Sequence, residues 1–505
     1  MSNSRTKSSI INISANIANQ VIALLLSFAS RTVFVKLLGE QYLGINGLFT
    51  NILSVLSLAE LGVGTAIIYS MYKPVAENDE NKISQLMNYY KKLYNRIALA
   101  VTIIGVSLLP FLKYLVKLDE PIDNLNIFYL LFLCNTIISY LFVYKTSIIV
   151  VYQKDYITKI YNFIFNVIMF LSQIVVLIVF KNYYVYLIVG ILCGLANNYF
   201  CARKADKMYP FINNKVELPN DEKKTIWGNI KSMFFYKVGG VILNNTDNIL
   251  ISSMVSTAMV GFCSNYTMIV EALKKIMSLF FTSIQASVGN MNAENNSEKQ
   301  YNIFNILDMC SFWIYGFTSV CICVLLQDFI YLWLGNKFVL SNNIVYIVTI
   351  NYYLTGILYP IWNYRETIGL FNDTKYIMFF AAFLNLIFSI IGGYYYGVFG
   401  ILVATALARL LTNLWYEPYK LFKIYFKQNV FKYYLRQIVH VIVVILMTIL
   451  VSKIVLFINI NNIYINFLIK AIVSVILTNC LLLILLFRTK EFKLLKEKLI
   501  NQIKK

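Results

Sequence analysis

Charge is what this sequence has least of for its length. Of its 505 residues only 13% are Asp, Glu, Lys or Arg, about half the share a water-soluble domain carries, and that shortage excludes a soluble globular protein. Histidine occurs once, at His440, so a histidine-based zinc or general-base site has too few members. His440 opens an apolar run just after Arg436 and reads as a membrane-interface residue. Large polar loops between apolar runs are missing, the longest on the less basic side lying near Asp328 to Asn343. Also missing are a glycine-rich phosphate loop beside a lysine and paired carboxylates in such a loop, which leaves a membrane polymerase or ligase without its chemistry. No small-residue cleavage site closes the first apolar stretch, which holds Asn12, Asn16, Asn19 and Gln20. It is therefore expected to be a retained first span rather than a signal peptide.

What the chain has is apolar surface: 59% of its residues are hydrophobic. A bilayer core of roughly 30 Å takes about 20 apolar residues per helical span. Apolar runs of that length follow one another from 11–37 and 43–72 to 433–457 and 464–487, which predicts about 14 transmembrane helices. Six precede the polar stretch Arg203 to Lys224 and eight follow it. The eight cysteines, Cys321 and Cys323 among them, lie in or at the ends of these runs. Two positions apart on a helix is a poor spacing for a metal pair.

The net charge of +20 invites a nucleic-acid partner, but its distribution argues against one. Lys and Arg gather in Lys73 to Lys92, Arg203 to Lys224, Lys420 to Arg436 and the tail Arg488 to Lys505. These are alternate connections between spans, as the positive-inside rule requires if both termini and the 203–224 stretch are cytoplasmic. Arg31 precedes Gly44 by the interval at which Asn248 precedes Gly261, a faint echo that fits an internal repeat.

One stretch is more specific. Residues 31–94 read RTVFVKLLGEQYLGINGLFTNILSVLSLAELGVGTAIIYSMYKPVAENDENKISQLMNYYKKLY. The pattern R-x-x-F-x-x-x-L-G-x-x-Y-L-G-I-N-G-L-F followed by L-A-E-L-G-V-G-x-A-I-x-Y-S-x-Y-K-P resembles bacterial polysaccharide repeat-unit flippases of the Wzx type. Those belong to the MATE-like multidrug/oligosaccharidyl-lipid/polysaccharide (MOP) exporter superfamily. Gly397 to Arg409, GVFGILVATALAR, resembles the same family's later paired span. The resemblance implies an all-α membrane protein with two pseudo-symmetric lobes around a central cavity. The lobes would be 1–202 and 225–426, joined by the cytoplasmic linker 203–224, with two extra spans and a basic tail in 427–505. It further implies transfer of polyprenyl-diphosphate-linked oligosaccharides from the cytoplasmic to the outer leaflet of a bacterial inner membrane. The products would be lipopolysaccharide, capsule or exopolysaccharide, with the pathway's polymerase and chain-length regulator as partners beside the membrane lipids.

A diphosphate headgroup needs cations in a water-filled cavity, and ionisable residues inside spans usually face one. Arg31, Lys231, Lys237, Lys274, Lys275 and Arg409 are the basic candidates, with Arg31, Lys237 and Arg409 the ones chosen for substrate binding. Lys274 and Lys275 follow Glu271 by three and four residues, the spacing of an internal ion pair. Glu60, the one acid of the second span, is expected either to pair with Arg31 or to protonate during transport. Asn46, Gly47, Gly62 and Gly64 read as packing and bending positions. A coupling-ion site is drawn from Asp247, within the polar run Asn244 to Asn248, from Asn385 and Ser389 on one helix face, and from Thr405 beyond a bend at Gly400. Such hard oxygens suit a monovalent cation, and superfamily members couple export to sodium or protons; no other metal or cofactor is expected. Two other cargoes or modes are weighed. A MATE-type exporter of drugs or small cations would favour acids in its spans, whereas here bases outnumber them. A channel fits less well than alternating access, given scattered charges of both signs.

Overall fold

The computed structural model describes the backbone of residues 2–60, 63–119, 121–152, 154–292, 297–368 and 370–503; the side chains of 2–19 and of several helical stretches, including 231–233 and 282–287, lie outside the described set. The elements in chain order are α1 Ser2–Leu56, α2 Val63–Ala76, α3 Glu80–Ser107, α4 Leu112–Leu115, α5 Leu125–Val151, α6 Tyr156–Phe180, α7 Tyr183–Met208, α8 Asn220–Met254 and α9 Thr257–Asn292. There follow α10 Ser297–Leu334, α11 Asn342–Gly356, α12 Tyr359–Ile368, α13 Phe371–Leu411, α14 Asn413–Leu421, α15 Phe431–Leu456, α16 Ile463–Leu486 and α17 Lys490–Ile503. No strand occurs among the described residues. Ten helical stretches among them are long and apolar enough to cross a membrane, and the protein is a multi-pass, all-α membrane protein.

Two of these stretches are each two helices joined at a kink, where one glycine leaves helical geometry. In α1 it sits at Gly39, with φ 85°, between the expected spans 11–37 and 43–72. In α13 it sits at Gly397, with φ 58°. Both values lie in the left-handed region that glycine reaches without a side-chain clash. The bend expected at Gly400 therefore falls three residues earlier. Gly400 serves close packing instead. A Cβ there would come within 2.0 Å of the Gly392 carbonyl oxygen, so the two arms of α13 cross backbone to backbone.

Packing divides the chain into two compact units, Met1–Gly261 and Phe262–Lys505. In the first, α5 lies between α3 and α7, α6 packs on α7 and α1, and α8 packs on α1, α2 and α4. This division follows contact rather than span order, because α8, counted from sequence as the opening of the later lobe, rests on the helices of the earlier one. The end of α1 also meets the start of α9 very closely. A Cβ at Gly44 would lie 1.8 Å from the Thr257 carbonyl oxygen, and one at Gly261 would lie 2.3 Å from that of Glu40. Gly47 packs on Val260, as its reading as a packing position anticipates. The polar stretch after α7 is not a loose tether. Ile212 and Leu218 are buried, Ser84 donates to the Phe211 carbonyl at 2.8 Å, and Asn88 donates to the carbonyls of Asn214 and Val216.

In the second unit α10 is central, touching α11, α12, α15, α16 and α17. The last two long helices are tied to it by charge as well as by packing. Asp308 of α10 meets Arg436 of α15 at 2.9 Å and accepts from Gln437 at 2.7 Å. Asp328, further along the same helix, meets Lys470 of α16 at 2.9 Å, and Trp313 donates to Asn479 at 2.9 Å. His440 stacks on Phe312 with ring centroids 3.9 Å apart, which makes it a packing group.

Candidate functional site

The first unit carries a polar cluster inside its helices. A short 3-10 turn, Ser57–Glu60, replaces the α-helix between α1 and α2 and brings Glu60 toward α3. There Tyr94 donates its hydroxyl to Glu60 Oε1 at 2.7 Å. Tyr140 of α5 donates to Ser57 Oγ at 2.8 Å, and the Tyr90 ring stands edge-on to Tyr94 at 4.8 Å. Gly64 makes room for this group: a Cβ there would sit 3.0 Å from the Tyr90 hydroxyl and 3.2 Å from that of Tyr94. Lys237 of α8 is half-buried and near enough for its charge to be felt by Glu60. The carboxylate thus has a hydroxyl donor on one helix and a cation on another.

Arg31 does not form the expected ion pair with Glu60, whose carboxylate is held by Tyr94. The guanidinium lies along α1 beside Tyr186 of α7, whose hydroxyl is also in contact with Ser30. The surrounding rings pack within the unit: Phe34 contacts Tyr183 and Tyr186 at 5.7 and 5.0 Å, and Tyr42 contacts Tyr183 at 5.1 Å. A cavity of about 210 Å³ adjoins Tyr186, with Asn46, Asn135 and Gln173 among its polar walls. Lys231 falls among the side chains outside the described set, as does Gly62.

Asp247 is half-buried on α8. Its polar neighbours are engaged within their own helix: Asn244 donates to the Gly240 carbonyl, Asn245 to that of Val241 and Thr246 to that of Ile242, at 2.7–2.9 Å. The other three residues of the expected ion site lie in the second unit and are brought together there. Asn385 and Thr405 stand across the two arms of α13, and Asn385 Nδ2 donates to Thr405 Oγ1 at 2.9 Å. Ser389 is fully buried, and its hydroxyl has no hydrogen-bond partner among the described residues.

Arg409, also half-buried, donates to the Asn351 carbonyl at 3.3 Å and to Thr355 Oγ1, close to where α11 ends at Gly356. A cation at a helix C-terminus meets unpaired carbonyls and the negative end of the dipole. Asn351 in turn donates to the Leu402 carbonyl at 2.9 Å, so Arg409 stitches α13 to α11. Lys274 and Glu271 form the internal pair their spacing predicts, at 2.9 Å.

The most deeply buried ion pair described in the second half was not among the sequence candidates. Arg365 and Glu417, 3% and 1% exposed, meet at 3.2 Å, and Asn413 donates to the same carboxylate at 2.7 Å. Glu417 falls inside an apolar run, and an acid there requires a partner; that was the available signal. Arg365 lies one residue beyond the expected end of its span.

No protein-family model and no curated protein matches the sequence. Solved structures do match the fold. The lipid II flippase MurJ in an inward closed conformation superposes with a TM-score of 0.67 at 16% identity, covering 93% of this chain and 98% of that one. An inward-facing multidrug resistance MATE family transporter of the MOP superfamily gives 0.58 at 14% identity, over 78% and 93% of the two chains. The MATE transporter VcmN of Vibrio cholerae gives 0.55 at 13% identity, over 81% and 96%. The chain has the fold these transporters share.

Proposed function

We propose that this protein is a MOP-type flippase that carries polyprenyl-diphosphate-linked oligosaccharides across a bacterial inner membrane for cell-surface polysaccharide assembly, with both termini cytoplasmic. The observation that carries the reading is the pair of half-buried cations, Arg31 and Lys237, inside the apolar helices of a chain that shares nearly its whole length with the fold of a lipid flippase. Cations so placed suit an anionic headgroup and repel the cationic drugs of a multidrug exporter. Among the described residues Arg31 lies beside Tyr186, and Lys237 is within reach of the Glu60 charge. Glu60 completes the site as the group that answers Lys237 when no anion is bound. Arg409 is assigned to cargo binding as a further cation within the apolar helices.

Transport is coupled to sodium or protons through Asp247, Asn385, Ser389 and Thr405. The buried, unpartnered Ser389 hydroxyl beside the Asn385–Thr405 bond supports that reading.

In vesicles loaded on one leaflet with a fluorescent undecaprenyl-diphosphate oligosaccharide, the wild type is expected to expose the lipid on the other leaflet. Arg31→Ala should abolish this while its amount in the membrane stays normal, and Arg31→Lys should retain part. Full transport by the alanine variant removes Arg31 from the site. Repeating the assay with and without sodium across a pH series tests coupling: Asp247→Asn should lose the ion dependence, and an unchanged dependence ends that assignment.

A further inference from the structure

The segment between α7 and α8 lies along the first turns of α3, and the two enclose a pair of adjoining cavities of about 230 and 470 Å³. Their walls are basic. Lys91, Lys92 and Arg96 come from α3, Lys215 from the segment itself and Lys223 from the first turn of α8; Glu217 is the one acid among the lining residues. That acid is spoken for. It meets Lys92 at 2.5 Å, and the Lys92 hydrogen bond and charge, with Lys223 behind them, hold its carboxyl below the usual range. The neighbouring carboxylates are engaged elsewhere, Glu222 with Lys82 and Asp206 with Lys145. Among the described residues no carboxylate pairs with Lys91, Arg96, Lys215 or Lys223.

The cations continue into something a soluble anion has no use for. Lys92, Arg96, Leu99, Ile103 and Val106 succeed one another at intervals of three and four, and so share one face of α3. Leu99 and Ile103 are each 61% exposed and Val106 is 46% exposed. The distance from Lys92 to Leu99 is about 10 Å along the helix, the span between a lipid phosphate and the top of its acyl chain. Trp227 and Tyr89 stand at the same level beside Arg96, where amphipathic rings mark the membrane–water boundary.

We propose that the groove between α3 and the 209–219 segment binds the phosphate headgroup of an anionic phospholipid, with an acyl chain lying along Leu99, Ile103 and Val106. The site is separate from the interior cluster around Glu60 and independent of which cargo is carried; it rests only on the chain's being a membrane protein. A lipid there bridges α3 to the segment that leads into α8, and so joins the helix bearing Tyr94 to the helix bearing Lys237.

The test is a native mass-spectrometric titration of the full-length protein, released from detergent, with phosphatidylglycerol and with phosphatidylcholine of the same chains. The wild type should prefer phosphatidylglycerol. Lys91→Gln/Lys92→Gln/Arg96→Gln should erode that preference about fivefold per cation removed. Glu217→Gln, which frees Lys92 and removes the one opposing charge, should strengthen it by a similar factor, a gain that misfolding does not produce. Lys490→Gln/Lys493→Gln/Lys496→Gln, in the basic tail, should leave it unchanged. A loss in the tail variant equal to that in the groove variant would mean attraction by overall charge and overturns the site. So does a Glu217→Gln variant that binds no more tightly. Glycerol 3-phosphate, titrated separately, should bind at least tenfold more weakly than the lipid; equal binding, insensitive to Leu99→Gln/Ile103→Gln, would assign the groove to a soluble phosphate ester and not to a lipid.

Discussion

Both units keep charge inside apolar helices, but they keep it differently. In the second unit Arg365, Glu417 and Asn413 form a closed set, 3%, 1% and 1% exposed, in which the guanidinium and the Asn413 amide both meet the Glu417 carboxylate, at 3.2 and 2.7 Å. In the first unit Glu60, Arg31 and Lys237 are only half-buried, and the carboxylate is held by a neutral tyrosine rather than by a direct ion pair. A closed set contributes to one structure and lies out of a ligand's reach. An open set stays within reach of water, and so of an anion or a proton. The contrast separates charges sealed inside the helices from charges that stay within reach of a ligand, which under the proposed function is the anionic cargo.

The sharpest way to break the contrast is to leave one half of the closed set alone. Glu417→Ala should cost about 3–5 kcal/mol, because Arg365 is then a buried charge without its partner. Arg365→Met/Glu417→Leu, which removes both charges, should recover most of that loss in thermal unfolding of the purified protein. A single variant that melts within a degree or two of wild type would mean the pair is not closed. In the open set the order reverses. Lys237→Gln should leave the melting temperature nearly unchanged yet slow transport of the lipid-linked oligosaccharide by about 10-fold to 100-fold, the worth of one charge-assisted contact. A variant equally impaired in stability would place Lys237 with the sealed charges. The smallest effect belongs to Tyr94→Phe, which removes the hydroxyl from Glu60 and should cost about 1.5 kcal/mol. Were its loss as large as that of Glu417→Ala, the first unit's cluster would be as closed as the second's.

Much of the architecture was legible because lipid imposes a simple rule on sequence: each crossing needs an unbroken apolar run. The break at Gly39 falls in the gap between the apolar runs 11–37 and 43–72, whereas the bend read at Gly400 lies at Gly397, and Gly400 proves to be a close-packing position. The Asn385–Thr405 contact could be anticipated, since Asn385 and Ser389 share a helix face and Thr405 follows on the returning arm. The Tyr94–Glu60 bond could not. It joins residues 34 apart in sequence, and with 38 tyrosines in the chain nothing singles out the one that reaches the acid. The 203–224 stretch reads as a linker from its polarity, which gives no sign that its backbone carbonyls are claimed by Asn88 and Ser84.

The two ion pairs that tie α15 and α16 to α10 also constrain how the protein is made. Synthesised after α10, this hairpin carries Arg436 and Lys470 within or beside its apolar runs, and each is costly to leave in lipid, by about 2.5–3.5 kcal/mol at mid-bilayer. Their counter-charges, Asp308 and Asp328, are laid down far earlier in the chain, on a helix that must already be in place to receive them. Biogenesis therefore has a direction. The α15–α16 hairpin settles against an α10 already laid down, so that its docking reports the correct insertion of the helix on which the second unit is built.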